Sequence, residues 1–506
     1  MKNWLKWFES FWSAHPALYW GLLFCVNFAI FTTYHPLFLL LLIYLLFTAS
    51  YSLTKVFASI LLCITNLAYL NYHYKIPTIP PYGLQGSGYL QIDSIQLKSS
   101  FQGKQWVYKG FLKNWTCDNH LLAKNIPVNI FIPHNTNINR PVANKDYYVY
   151  GKIYHTKSYS YTFYPQKNKP WQTVNKSYSW AEKRYEVKES IKKYFSTLFT
   201  SKRDANFLSG IFLGEQEDPL LSFHFNRFGL QHILAVSGFH FGIIAFLLQC
   251  SLRTIFKVQF VFFSVILLIT FYFILLGLSP SVLRAWIAII AILIANRYGL
   301  CYSSLNILGI GLLTVIFIDP FYIYHLGFQF SFLTTSAILI FYPPFDSFLE
   351  KVLPKRFLNE ALDLKVIHQL VYIVLQWIRK GIALSFAVNI ATFPLTLYHF
   401  SKFPILSLVY NLFFPLCISI IFFLIFLLIL SHILLFPMKS ILLPICEKLV
   451  HSLLATIYNY PIQREIYLSV KKFSFIYLLL LLTITYTLGV FLYYKRKEQE
   501  KNIFFT

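Results

Sequence analysis

Acidic side chains are scarce in this chain: 506 residues carry 20 Asp and Glu against 44 Lys and Arg, and only 13% of the residues are charged at all. With 57% hydrophobic residues and a mean hydropathy of +0.54, there is little material for a soluble body. The seven cysteines contain no C-x-x-C pair, and six of them (Cys25, Cys63, Cys250, Cys301, Cys417 and Cys446) lie in apolar segments. That excludes a disulfide framework and the usual zinc spacings. There is no G-x-x-x-x-G-K-[ST] phosphate loop, so energy from ATP would have to come from a partner. Lys2 and Lys6 precede an apolar stretch without a small-residue cleavage site, and the expectation is a retained membrane segment.

What is present is a series of apolar runs longer than the ~18 residues that cross a bilayer. The plainest are 410–436 and 473–494. The chain reads as five parts. Residues 1–71 hold three apolar runs (17–31, 36–50 and 52–71). Residues 72–178 are polar. Residues 179–202 read as an amphipathic interfacial helix with its lysines outward, residues 203–494 return to apolar segments, and 495–506 form a basic tail. With the Lys-bearing N-terminus inside, three crossings place 72–178 on the outer face and the tail in the cytoplasm.

Alternating apolar and polar residues in GYLQIDSIQLKSS, KQWVYKGFLKNW, IPVNIFIP and KDYYVYGKIYHTK predict four or five short strands in 72–178. Their spacing fits a small barrel of the OB type. The expected fold is therefore an α-helical polytopic membrane protein with an inserted, small all-β domain. That domain holds 13 Lys and Arg against 3 Asp, a net of +10. A long translocated loop is not made basic by the positive-inside rule. Lysines interleaved with rings fit sequence-tolerant single-strand binding, and the candidate surface is Lys104, Trp106, Tyr108, Lys109, Lys113, Trp115, Lys145 and Lys152. The plainer alternative is a β-domain with aromatics in its core and lysines in water.

The most informative run is 229–249, GLQHILAVSGFHFGIIAFLLQ. Read as one helix, it puts His232, Ser237 and His240 within about 140° of one another. Gly238 and Gly242 then form a G-x-x-x-G packing seam on the other side. Arg284 sits four residues into a helix opened by Ser279 and Pro280, and points toward its bundle, where it could meet a phosphate or pair with Asp319 or Glu215. Gln329 needs partners in hydrocarbon. Asn389 and Asn411 precede prolines by four or five residues, where helix breaks would open an aqueous cavity.

Taken together, FLSGIFLGEQED, FGLQHILAVSGFHFGII, GLSPSVLRAWIA, DPFYIYHLGFQFSFLTTSAI and ATFPLTLYHFSKFPILSLVYNLFFPL resemble the competence domain of the ComEC family, in the family's order over about residues 206–416. The resemblance implies a multi-pass inner-membrane channel that passes one DNA strand into the cytoplasm during natural transformation. Single-stranded DNA, membrane lipids, a separate ATPase or helicase and DNA-receptor proteins on the outer face are the implied partners; a homo-oligomer stays open. His232, Ser237, His240, Arg284, Gln329 and Asn411 would belong to the channel core, and Asn389 joins them on the path. Many members also carry a metallo-β-lactamase-like domain marked by H-x-H-x-D-H, which this sequence does not contain. The expectation is that any strand degradation falls to a separate nuclease and that this polypeptide has no catalytic residues, metal or cofactor.

Two other classes stand beside this one. Ser237 and His240 are spaced as nucleophile and base of an intramembrane hydrolase. A transporter or transferase for lipid-linked anionic glycans would also need a multi-span bundle.

Overall fold

The computed structural model describes all residues except 1, 34, 50–52, 78, 81, 101–102, 118–119, 135–139, 156–160, 167–168, 175–176, 217, 355–364, 434–437, 462–465, 472 and 505–506. Four helices open the chain: α1 (Lys2–Ala14), α2 (Pro16–Thr33), α3 (Pro36–Ala49) and α4 (Leu53–His73). A β-domain follows, built from β1 (Leu84–Ser100), β2 (Gly103–Cys117), β3 (His120–Pro133), β4 (Tyr147–His155), β5 (Tyr161–Pro165) and β6 (Gln172–Thr173). Then come α5 (Ala181–Leu198), α6 (Lys202–Leu213), α7 (Pro219–Arg227), α8 (Gln231–Leu234), α9 (Gly238–Arg253), α10 (Val258–Leu276), α11 (Pro280–Tyr298) and α12 (Ser304–Ile318). The last part holds a 3₁₀ turn (Pro320–Tyr324), α13 (Leu326–Glu350), α14 (Val366–Phe400), α15 (Ser407–Ile433), α16 (Lys439–Tyr458) and α17 (Phe475–Phe504). Two short strands, β7 (Lys402–Pro404) and β8 (Tyr467–Ser469), pair antiparallel between the last helices.

Among the described residues nine helices are long and apolar enough to cross a bilayer, and three more apolar helices are shorter. This is a multi-pass membrane protein. Many large apolar side chains face outward along these helices, as expected where lipid is the solvent: Phe263 is 69% and Leu267 70% exposed on α10.

The β-domain closes on itself. Strand order is β1-β2-β3-β5-β4, with β4 pairing back onto β1 and β3 running parallel to β5. That is the expected OB-like connectivity. The long β1 can serve two neighbours because it bends, with register shifts at Gly88/Leu90 and Ile92/Ser94. At Gly88 a Cβ would lie 2.1 Å from the Asn114 carbonyl oxygen, so only glycine lets the strands approach there. Leu90, Ile92, Leu112, Ile126, Val128 and Phe163 fill the interior together with Tyr108 and Trp115.

Helix α5 fastens the barrel to the membrane bundle. Ser179 donates to the Ile92 carbonyl at 2.7 Å, Arg184 pairs with Asp93 of β1 at 3.6 Å, and Lys188 donates to the Leu276 carbonyl at the end of α10 at 3.1 Å. Lys188 and Lys192 do not point outward as expected. They converge on the buried Glu215, at 2.8 and 3.0 Å. Burial alone would push the Glu215 carboxyl up; the two ammonium groups outweigh it and hold the carboxyl below its usual value.

Candidate functional site

The run 229–249 is not one helix. α8 ends at Leu234, Ala235 and Ser237 are extended, and α9 begins at Gly238. The cause is local. Ser237 is the N-cap of α9: its Oγ accepts from the Phe239 N–H at 3.3 Å, and the ring of His240 reaches back so that Nδ1 accepts the Ser237 N–H at 3.1 Å. This is a capping box with histidine in the place of the usual Glu or Gln. The shared helical face expected of His232, Ser237 and His240 is therefore replaced by a break. His232 is exposed and its Nδ1 lies 3.2 Å from the Gly229 carbonyl oxygen, whereas His240 is 1% exposed with its ring against Phe422 at 5.2 Å.

Because Nδ1 accepts, the proton of the His240 ring sits on Nε2. That nitrogen is buried and has no hydrogen-bond partner among the described residues. Ser237 Oγ is 3.1 Å from Nδ1, but the same nitrogen already takes the backbone proton.

The glycines also depart from expectation. Nothing lies within 4 Å of a Cβ built on Gly242, so it is no packing seam. Gly238 instead faces Arg284, whose Nη2 would be 3.1 Å from its Cβ. A side chain at 238 would crowd the guanidinium. Arg284 is 9% exposed, donates from Nε to Ser331 Oγ of α13 at 2.8 Å, and stands 5.9 Å from the centre of the Phe332 ring. Neither Asp319 nor Glu215 is its partner. Asp319 caps the 3₁₀ turn by accepting from the Phe321 N–H at 3.0 Å, and Glu215 belongs to the lysines. Among the described residues Arg284 meets no carboxylate.

Gln329 has the partners that an amide in hydrocarbon needs. It donates to the Ile323 carbonyl at 2.9 Å, and its Oε1 lies 2.8 Å from Nε2 of His399 on α14. Asn389 donates to the Ser385 carbonyl at 2.8 Å on its own helix, and Ser385 Oγ reaches the Leu408 carbonyl at 3.3 Å. Asn411 keeps a buried Oδ1 without a hydrogen-bond partner among the described residues. The structure thus joins Ser237, His240, Gly238 and Arg284 around the α9 N-terminus, and among the described residues no hydrogen bond links Gln329, Asn389 or Asn411 to that group.

The prolines do not break their helices. Pro394 lies inside α14 and Pro415 inside α15, each helix continuing past it. A proline removes one hydrogen bond, and neighbouring helices hold the rest of the ladder in place. Non-helical backbone occurs elsewhere, at 228–230 and 235–237 on either side of α8 and at 401–406, and the first of these touches the last. Gly229 has φ +68°, and a Cβ there would strike Pro404 Cγ at 2.7 Å and Ser407 Cβ at 2.9 Å. β8 covers the last segment, with Ile405 N–H donating to the Ile466 carbonyl at 3.0 Å.

On the barrel, Tyr108 and Trp115 are fully buried and cannot form a binding surface. Tyr108 shares the inward phase of β2 with Gly110 and Leu112, and the extra residue of β2 between Leu112 and Trp115 shifts the phase so that Trp115 turns inward as well; the Tyr108 hydroxyl donates to the Pro141 carbonyl at 2.7 Å. Trp106 is half-buried under His134, Tyr185 and the Arg140 guanidinium, whose carbon is 4.6 Å from the ring centre. Lys104, Lys113, Lys145 and Lys152 are exposed. Lys109 is half-buried at the membrane-facing end, where desolvation first and Lys98 second lower its pKa.

The sequence model of the family described as competence protein matches residues 213–496, more than half of the chain. The chain belongs to the competence protein family. The match runs from the last residue of α6 into α17 and so contains the α9 break, Arg284 and the irregular segments around α8 and at 401–406. ComE operon protein 3 of Bacillus subtilis (strain 168) is 25% identical over 197 residues, which is 39% of this chain and 22% of that protein. The similarity therefore spans about a fifth of that relative's length. No solved structure matches the chain. Within this competence protein, the residues that sequence reasoning missed are His399, which completes Gln329, and the Lys188–Glu215–Lys192 group. Each pairs across long sequence separations that no local pattern reveals.

Proposed function

We propose that the chain is the conduit through which one strand of DNA crosses the inner membrane during natural transformation. The observation that carries this reading is Arg284: a buried guanidinium with no carboxylate partner among the described residues. An unpaired charge in a membrane bundle is costly unless something anionic shares the site for part of its working cycle. A passing phosphate backbone would do so, with the unmet Nε2–H of His240 as a further donor at the neighbouring α9 N-terminus. Irregular backbone on either side of α8, at 228–230 and 235–237, and at 401–406 suits a water-filled path, since such backbone needs protein or water around it.

The orientation we infer places the barrel outside and both termini in the cytoplasm. In its support, α1 packs on α17, with Trp7 5.1 Å from Phe491, and Arg253, Lys257 and Arg297 lie at the ends of α9, α10 and α11 opposite the barrel. An ATPase or helicase, a nuclease and DNA-receptor proteins act as separate partners in this reading, and the chain does no bond-breaking itself. The intramembrane hydrolase has one observation in its favour, the 3.1 Å contact between Ser237 Oγ and His240 Nδ1, which the capping box already explains.

The test is deletion of the coding sequence in its natural host, with transformation frequency as readout and restoration by the intact chain as control. A loss of transformants reversed by complementation is expected. Unchanged transformation in the deletion strain defeats the proposal.

A further inference from the structure

Strand β4 alternates strictly. Tyr147, Val149, Gly151 and Ile153 are buried, while Tyr148, Tyr150, Lys152 and Tyr154 turn outward. Its neighbours continue the outward face: Tyr148 pairs with Tyr89 of β1, and Lys152 pairs with Gln85 of β1 and Tyr164 of β5. Tyr89 is 47% and Tyr164 54% exposed. The rings meet edge to face and not flat, at 5.1 Å for Tyr89–Tyr148, 5.2 Å for Tyr148–Tyr150 and 5.3 Å for Tyr154–Tyr164. Such contacts hold each ring upright; Gly83 backs the Tyr154 ring, and Tyr89 and Tyr164 keep about half of their surface exposed. A groove of about 780 Å³ runs between Gln85, Lys152, Tyr154, Tyr164 and Gln166, with no carboxylate among the described residues that line it. Lys169 adds a cation 4.2 Å from the centre of the Tyr150 ring.

We propose that the outward face of β1, β4 and β5 is where single-stranded DNA is received, its bases stacking on the tyrosine row and its phosphates following Lys152 and Lys169. This rests on the reading of the chain as a DNA conduit and moves the contact away from Trp106, Tyr108 and Trp115. Successive outward residues of a strand are about 6.7 Å apart. That is about twice the ~3.4 Å rise of stacked bases. A strand lying along β4 must therefore unstack its bases from one another, and the rings replace the lost stacking. Duplex DNA cannot do this, because its base faces are covered. Stacking on rings is tolerant of sequence, as an uptake route for arbitrary DNA requires. The basic domain, at +10, supplies the long-range attraction.

The experiment uses the full chain in lipid nanodiscs, a fluorescent oligothymidylate and an abasic oligonucleotide of equal length. Wild type is expected to bind oligothymidylate more tightly than the abasic strand. Tyr150→Ala with Tyr164→Ala should weaken oligothymidylate binding tenfold or more, toward the abasic value, while Tyr150→Phe with Tyr164→Phe retains it. Tyr164 is exposed and Tyr150 half-buried on the outward side of β4, and an unchanged melting temperature shows that the variants fold. If wild type binds oligothymidylate and the alanine variant binds it equally well, this face is wrong and the conduit reading stands. Equal affinity of wild type for the abasic strand also overturns the stacking proposal. If wild type binds neither oligonucleotide at low salt, the receiving role fails together with the reading beneath it.

Discussion

Replacing Glu215 by Gln tests the joint between barrel and bundle. The carboxylate takes Lys188 at 2.8 Å and Lys192 at 3.0 Å, with side-chain exposures of 5% for Glu215, 7% for Lys188 and 14% for Lys192. The amide keeps the shape and one acceptor oxygen but removes the charge, leaving the Lys188 ammonium buried against neutral acceptors, the amide oxygen and the Leu276 carbonyl. Breaking a buried pair on one side costs about 3–5 kcal/mol. The lower end applies here, because Lys192 retains Glu189 at 2.8 Å. At about 2 °C per kcal/mol for a large chain, the melting temperature in detergent should fall by about 6 °C. Lys183→Ala is the control: its pair with Glu186 is 3.6 Å long and exposed, worth about 0.5 kcal/mol. The gap between wild type and Glu215→Gln also depends on pH with a fixed sign. The folded carboxyl lies below its unfolded value, so the contribution is complete above the unfolded pKa of about 4.3 and fades as pH falls through the folded one. A Glu215→Gln shift no larger than that of Lys183→Ala, or a gap that widens in acid, refutes the reasoning.

Two further substitutions separate structure from function at the α9 N-terminus. Ser237→Ala removes the cap of α9 and should cost about 1 kcal/mol by thermal unfolding, with transformation changed only a few-fold; complete loss of activity at unchanged expression would favour a nucleophilic serine. Arg284→Met should leave the melting temperature unchanged or raise it, since it replaces a buried charge lacking a carboxylate, while transformation falls at least tenfold; a lower melting temperature with normal transformation contradicts the role given to Arg284.

The apolar runs and the barrel were legible because both write themselves locally. Hydropathy marks a span, and strands such as KDYYVYGKIYH show their two faces by alternation. Rings of the barrel were assigned outward by type; Tyr108 sits on the inward phase of β2, and Trp115, seven residues on, is turned inward only by the extra residue of β2 after Leu112, which alternation in the sequence does not reveal. At 229–249 apolarity hid a break, because Ser-Gly-Phe-His reads as helix by hydropathy and as a cap by hydrogen bonding. Pro394 and Pro415 misled in the opposite direction. A missing N–H is a local fact, whereas the packing that carries a helix past it is not. The partners of Gln329 and Arg284, His399 and Ser331, lie 70 and 47 residues away, and only the assembled bundle brings them together.

The central claim is that a DNA strand enters the cytoplasm through this chain. It is tested most directly by following end-labelled DNA in the natural host, with external nuclease to remove what stays outside and fractionation to find what does not. The account predicts that deletion leaves label accumulating outside the inner membrane at the normal level and abolishes single-stranded label in the cytoplasm, with Arg284→Met close to the deletion. Single-stranded label reaching the cytoplasm of the deletion strain at the wild-type rate would contradict it.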